Sequence, residues 1–341
     1  MLVQSSDETS RGLADAEVRA ALAAAEDPSV DPVERAEMLV EIARGLQLKP
    51  RNPQQLRDAV TLYRRARALV PEGESLLAAR TLAREGTAHQ ALPDGGAGSL
   101  QDALACFEAA RPVLAELGLP EETAEVDLNL GLVAQSLAAA GLARIQDAIS
   151  YYHRALKVFS ETAFPREHAV VHNNLAIIYL SLPASDKAGE LREAMAVQSF
   201  EQVLKVVNLV DHPVEYAMAQ NNLGNALQYA PGGNRIANLL RAVEAYDEAL
   251  KVRSSRDTPA EYANTIANKA NALANLPDDP ADPLSGQQRN LREARALYRE
   301  AQALFVERGL PGHADAVADA LAMLDDDAGH TPDSTALQGI Q

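Results

Sequence analysis

The chain has 341 residues, 47% apolar but only 4% aromatic, with no tryptophan and one cysteine, Cys106. Its 48 acidic and 31 basic residues leave a net charge of −17, the wrong footprint for nucleic acid or an anionic membrane surface. One cysteine excludes an internal disulfide, and no run of 18 apolar residues is long enough to span a bilayer.

In chain order, residues 1–11 are polar and aperiodic and are expected to be disordered. Residues 12–26 predict an N-terminal helix. From Pro32 onward two phrases alternate. The first is a proline opening an apolar helical run: Pro32, Pro120, Pro165, Pro213, Pro259 and Pro311, with Glu34, Glu122, Glu167, Glu215 and Glu261 two residues after the first five. Proline suits the first helical position because it lacks the N–H that would go unpaired there. Asp31-Pro32-Val33-Glu34 and Thr258-Pro259-Ala260-Glu261 read as a cap residue, a first-turn proline and a capping-box glutamate. The recurring glutamates are therefore read as helix starters, not as catalytic acids.

The second phrase is Ala-x-x-x-aromatic-x-x-Ala. It occurs at Ala59/Tyr63/Ala66, Ala103/Phe107/Ala110, Ala148/Tyr152/Ala155, Ala196/Phe200/Val203, Ala242/Tyr246/Ala249 and Ala294/Tyr298/Ala301. The aromatics at 63, 107, 152, 200, 246 and 298 lie 44, 45, 48, 46 and 52 residues apart. That period means stacked supersecondary units. In the fifth copy Leu240, Val243, Tyr246 and Leu250, flanked by Ala242 and Ala249, are expected on one buried face. The small alanines admit a neighbouring helix and the aromatic fills the gap. Pro311 to about Asp325 predicts a terminal capping helix, and residues 326–341 an aperiodic tail. The organisation expected is one all-α solenoid over residues 12–325, with six helix pairs.

These residues resemble the tetratricopeptide repeat family. The first helix of that family carries a Leu-Gly pair, seen here as Leu130-Gly131 and Leu223-Gly224 with Leu175-Ala176 close to it, and the second carries the Ala…aromatic…Ala set. Asp211-His212-Pro213 followed by Asn221-Asn222-Leu223-Gly224 resembles the long-repeat branch that includes kinesin light chains. The resemblance implies a right-handed superhelix and a non-catalytic scaffold.

Candidate chemical sites are few. His168 and His172 have a zinc-compatible spacing but lack the glutamate of H-E-x-x-H, and His168 aligns with Tyr216 and Tyr262 as a packing position. Asp94 to Ser99 is glycine-rich without the lysine of a phosphate loop, and Asp278, Asp279 and Asp282 lack the spaced glutamate of a calcium loop. Cys106 reads as a buried apolar residue. No cofactor and no metal are expected.

Asparagine stands out. Counted from each opening proline, the ninth residue is Asn129, Asn174, Asn222 and Asn268. The eighth adds Asn173 and Asn221, the twelfth Asn225 and Asn271, and the fifth Asn264. These positions share one side of a helix, and asparagine is a mediocre helix former. Either the amides brace adjacent repeats or they face a ligand. In the resembling family this face is a concave groove whose asparagines hold the backbone of an extended peptide, and Arg84 is the next rung by alignment of Gly86 with Gly131. The function expected is a scaffold binding a neutral to basic protein segment, with self-assembly through terminal helices or loops, or a role as accessory factor to an enzyme, as alternatives. With no basic leader before an apolar core at Met1 to Ser5, a cytoplasmic location is expected.

Overall fold

The computed structural model describes residues 16–182, 187–230, 235–282 and 285–329. These contain fourteen helices: α1 (Ala16–Ala24), α2 (Pro32–Leu48), α3 (Pro53–Leu69), α4 (Ser75–Gln90), α5 (Gly96–Leu117), α6 (Pro120–Ala139), α7 (Ile145–Ala155), α8 (Pro165–Ser181), α9 (Lys187–Val206), α10 (Pro213–Tyr229), α11 (Arg235–Leu250), α12 (Pro259–Ala274), α13 (Gln288–Glu307) and α14 (Pro311–Gly329). All six opening prolines stand at a helix start, and Pro53 adds a seventh. Asp31 caps α2 by accepting the amide of Val33 at 2.8 Å, and Asn52 caps α3 by accepting that of Gln55 at 3.1 Å. Glu122 reaches back to accept the Leu119 amide at 2.9 Å, as a third-position glutamate should. Thr258 departs from the expectation. Its hydroxyl turns back to accept the Ser254 amide at 3.1 Å, so α12 starts without a side-chain cap. At the other ends, Gly141 and Gly309 take φ of +72° and +68°, and the amides that follow them close on Leu137 and Phe305 at 2.8 and 2.9 Å. This left-handed exit is one that glycine makes without a Cβ penalty. The last helix reaches Gly329, past the boundary expected near Asp325. Of the expected N-terminal helix, residues 12–15 lie outside the described residues.

The chain divides into two compact units, residues 1–171 and 172–341, with the division inside α8. In the first, α2 packs on α3, α4 on α5 and α6 on α7, and the pairs meet through α3 with α4 and α5 with α6. In the second, α10 packs on α11, α12 on α13, and α14 closes on α13. First helices of successive pairs touch directly, α2 with α4, α4 with α6 and α10 with α12.

Within each pair the aromatic of the second helix fills the space beside a small residue of the first. Tyr63, Phe107, Tyr152, Phe200 and Tyr246 are fully buried, Tyr298 is 5% exposed, and all the flanking alanines of the repeated phrase are buried. Among the helix-facing glycines, a Cβ on Gly86 would meet the Phe107 ring at 2.8 Å, one on Gly131 the Tyr152 ring at 2.4 Å, and one on Gly224 the Tyr246 ring at 2.6 Å. The ring occupies the room a side chain would need. On α11 the expectation is one residue out: Leu239 is buried at 2% and Leu240 is 37% exposed. One residue is a 100° step around a helix, so only one of the two can face the core.

The buried tyrosines need partners for their hydroxyls. Tyr63 donates to Gln47 and Tyr152 to Gln135, both at 2.9 Å, and the Tyr246 hydroxyl pairs with Gln228 and donates to Asn225 at 2.7 Å. Gln47, Gln135 and Gln228 each stand fifteen residues after Pro32, Pro120 and Pro213. Phe200, which has no hydroxyl, has Leu180 at the corresponding position.

Candidate functional site

In the first unit the first-helix face is charged. Arg84 and Asn129, both expected at the binding surface, come together in one recess of about 210 Å³ with Arg80, Thr87, Glu122 and Glu125. Arg80 donates to both oxygens of Glu122, at 2.7 and 3.0 Å, and this bond holds the Glu122 carboxyl below its ordinary range. Arg84 lies 3.8 Å from Glu41. A second recess of about 500 Å³ shares Glu122, Glu125 and Asn129 with the first. Its apolar part is Leu128, Phe159, Phe164 and Val170; its charged part adds Glu121, Arg166 and Glu167. Phe159 and Phe164 meet edge to face with centroids 5.4 Å apart, a favourable aromatic geometry. Although Glu125 reaches the surface, desolvation against these walls raises its carboxyl above the ordinary value. Arg84 pulls it down, and Glu122 and Glu167 push it further up.

Behind this face lie buried acids that sequence spacing did not single out. Asp127 on α6 is clamped by Arg111 of α5 at 2.7 and 2.9 Å and by Arg154 of α7 at 2.8 Å. Arg154 also stacks on the Tyr151 ring at 4.5 Å. Glu85 on α4 accepts from Arg64 at 2.7 Å, with Arg67 at 3.4 Å, and Arg64 also donates to His89 at 3.1 Å. An apolar residue standing where Asp127 or Glu85 does would leave these arginines without their acceptor, so both acids tie consecutive helix pairs together.

In the second unit the asparagines meet one another. Asn268 on α12 donates to Asn221 on α10 at 3.4 Å and to Asn264 at 3.0 Å; Asn221 in turn donates to Asn222 at 3.4 Å. Asn271 donates to Gln228 at 2.9 Å, and Gln228 connects through the Tyr246 hydroxyl to Asn225. Gln228 also donates to the backbone carbonyl of Asn268 at 3.4 Å, which joins the two groups, so six of the expected positions lie in one network across α10 and α12, with Asn221 buried, Asn264 exposed and the rest half-buried. Asn173 and Asn174 lie half-buried on α8. Gln228 is a member that sequence reasoning missed; the signal available was its recurrence with Gln47 and Gln135 at the fifteenth place.

Other candidate sites resolve into structure. The Nδ1 of His168 donates to the carbonyl of Phe159 at 2.9 Å, and Tyr216 and Tyr262, at the matching position, donate to Glu248 and Glu300 at 2.9 and 3.0 Å. Asp278 accepts the amides of Arg289 and Asn290, both at 2.9 Å, and so starts α13. Cys106 is buried, and desolvation pushes its thiol up to about 11, far from a reactive thiolate. Among the described residues no group of three or more His, Cys, Asp or Glu could hold a metal, and no helix is long and apolar enough to cross a membrane.

No protein-family model and no curated protein matches the chain by sequence. The structure is similar to that of a signal-transduction ATPase with numerous domains and a tetratricopeptide repeat sensor from Pyrococcus horikoshii. The likeness has a TM-score of 0.57 at 16% identity and covers 91% of this chain and 42% of that one. The chain has the tetratricopeptide-repeat fold. Further likenesses run to BtubC of P. vanneervenii, with TM-score 0.48, 19% identity and coverage of 72% of this chain and 89% of that one. Another runs to the tetratricopeptide-like repeats of a Podospora anserina kinesin light chain, with TM-score 0.31, 13% identity and coverage of 82% and 98%. In repeat terms, α2 to α13 are six helix pairs, with Gly86, Gly131 and Gly224 as the small residues that admit the aromatic of the second helix.

Proposed function

We propose that this chain is a non-catalytic scaffold that holds an extended segment of a partner protein on the faces of its first helices. The observation that carries the reading is what the amide network leaves over. Asn222 and Asn264 use their carbonyl oxygens to accept from Asn221 and Asn268, and among the described residues neither amide nitrogen donates to a protein group. Two oriented donors on neighbouring first helices, one of them exposed, suit the carbonyls of an extended backbone without demanding a sequence. The amides thus brace α10 against α12 and present their free ends in the same act. The net charge of −17 favours a neutral to basic partner.

The test is capture of partners from the native host with the wild type and with the double variant Asn174→Ala, Asn222→Ala, identified by mass spectrometry. A small set of proteins retained by the wild type and lost by the folded variant supports the reading. Equal retention by both, with the variant melting much earlier, makes the amides internal struts only.

A further inference from the structure

The larger recess of the first unit combines two properties that point to one kind of occupant. Its apolar part is open at Val170, which is 45% exposed, with Phe164 and Leu128 half-buried beside it and Phe159 buried beneath, in a cavity of about 500 Å³. Its charged part is unbalanced. Four carboxylates, Glu121, Glu122, Glu125 and Glu167, face one guanidinium, Arg166. Arg80, from the adjoining recess, neutralises Glu122 with two hydrogen bonds; Arg84, 3.8 Å from Glu41, attracts Glu125 from a distance, and among the described residues no ion pair is made by Glu125 or Glu167.

Corresponding positions on other first helices lack this combination. The first and fifth residues after the opening proline are Glu121 and Glu125 on α6, Val214 and Met218 on α10, and Ala260 and Asn264 on α12. Only α6 places carboxylates at both. A ligand with an aliphatic stem and a cationic head meets both demands at once. The stem covers apolar surface while the head stays at the wet, charged side. A cation near an aromatic pair gains further attraction. An acidic side chain would face the like charges of Glu121, Glu125 and Glu167, and a purely apolar one would bury carboxylates without compensation.

We propose that this recess is a specificity pocket for a lysine or arginine side chain of the bound partner segment. Its stem lies over Leu128, Phe164 and Val170, and its charge lies between Glu125 and Glu167. The proposal rests on the scaffold reading above and names what the first unit selects. Two further features agree with it. The repulsion of Glu122 and Glu167 on Glu125 is relieved by an incoming cation, and the recess adjoins Asn129, a candidate backbone-binding amide.

The test uses the full chain with labelled valine and leucine methyls, titrated with Nα-acetyl-arginine methylamide and Nα-acetyl-lysine methylamide. The uncharged control is Nα-acetyl-norleucine methylamide. The expected result is a saturable shift of the Val170 and Leu128 methyls with the two cationic probes, at millimolar affinity as befits so small a ligand. The norleucine probe should bind more weakly. Glu125→Gln with Glu167→Gln should weaken the cationic probes about fivefold to tenfold. Each single exchange should weaken them less, with circular dichroism unchanged, and binding should fade as pH drops below the carboxylate range. The proposal is overturned by no saturable shift, by an equal response to norleucine, or by Gln variants that bind the cations as well as the wild type. Loss of the Val170 response with asparagine-dependent partner capture intact removes this inference and leaves the scaffold reading. The reverse outcome removes the scaffold reading.

Discussion

A methyl group on Gly131 would stand 2.4 Å from Cε1 of the Tyr152 ring. That one distance fixes how closely α6 approaches α7, and the same relation recurs for Gly224 with Tyr246. Gly131→Ala should therefore cost about 1–3 kcal/mol through overpacking, despite alanine's better helix propensity. Gly45, inside α2 with nothing within 4 Å of a Cβ, is the control: Gly45→Ala should stabilise by about 0.5–1 kcal/mol. Urea unfolding of both variants checks the pair, and equal effects at the two glycines would refute the packing account.

The hydroxyl of Tyr152 is a second independent handle. Tyr152→Phe keeps the ring but leaves Gln135 without its donor at 2.9 Å, and should cost about 1–2 kcal/mol. Adding Gln135→Leu should recover most of that loss, because the chain itself pairs Phe200 with Leu180 at the corresponding places. Tyr152→Ala, which empties the ring site, should cost about 3–5 kcal/mol. A double-mutant cycle in urea reads all three; no recovery in the double variant would show that Gln135 does more than satisfy the hydroxyl.

These relations divide what the sequence made legible from what it did not. The opening prolines, the capping role of Asp31 and the alanine–aromatic register follow from rules acting within one helix or between neighbours in a pair, so they could be read directly. The clamp of Arg111 and Arg154 on Asp127 joins residues 16 and 27 positions apart on three helices, and spacing alone does not select them. Leu239 and Leu240 are equally apolar, and only the orientation of α11 decides between them. Thr258 has a better local partner in Ser254, which competes with the cap. At the candidate site, the run Asn221, Asn222, Asn225, Asn264, Asn268 and Asn271 was legible as a face. The union of Arg84 with Asn129 in one recess was legible as an alignment. The pocket bounded by Phe159 and Val170 depends on two helices, α6 and α8, and the loop before α8, and it was not.

Glu85 sets an acid limit on stability. The carboxyl of Glu85 is desolvated, which raises it, but the bonds from His89 and Arg64 and the charges of Arg67 and Arg64 prevail and hold it below the ordinary glutamate range. A carboxyl lowered in the folded state contributes stability that is present above its unfolded value and is lost as pH falls through the folded one. Melting temperature should drop below about pH 4.5, and Glu85→Gln should flatten part of that drop while lowering stability at pH 7. A pH series of thermal melts checks the sign; greater acid sensitivity in the Gln variant would contradict it.

Asp127 should be a costly buried charge to remove in the first unit. Asp127→Ala leaves Arg111 and Arg154, each about a third exposed, facing one another without their shared acceptor. The loss should be about 2–4 kcal/mol, below the range for fully buried pairs because water reaches both guanidinium groups. Replacing Arg111 as well should recover part of it, and additive losses in the double variant would show the two residues to be uncoupled.

The central claim is that partners lie on the first helices. It is tested most directly by a photo-crosslinking residue placed either at Asn264, exposed on α12, or at Arg299, exposed on α13. Arg299 is a plain surface position, whereas replacing Asn264 gives up the oxygen that accepts from Asn268 at 3.0 Å, so thermal melts first establish that both chains are folded. After irradiation in native extract, the account expects a discrete crosslinked partner from position 264 and none from position 299. Crosslinking from position 299 alone would place the binding surface on the second helices and contradict the account.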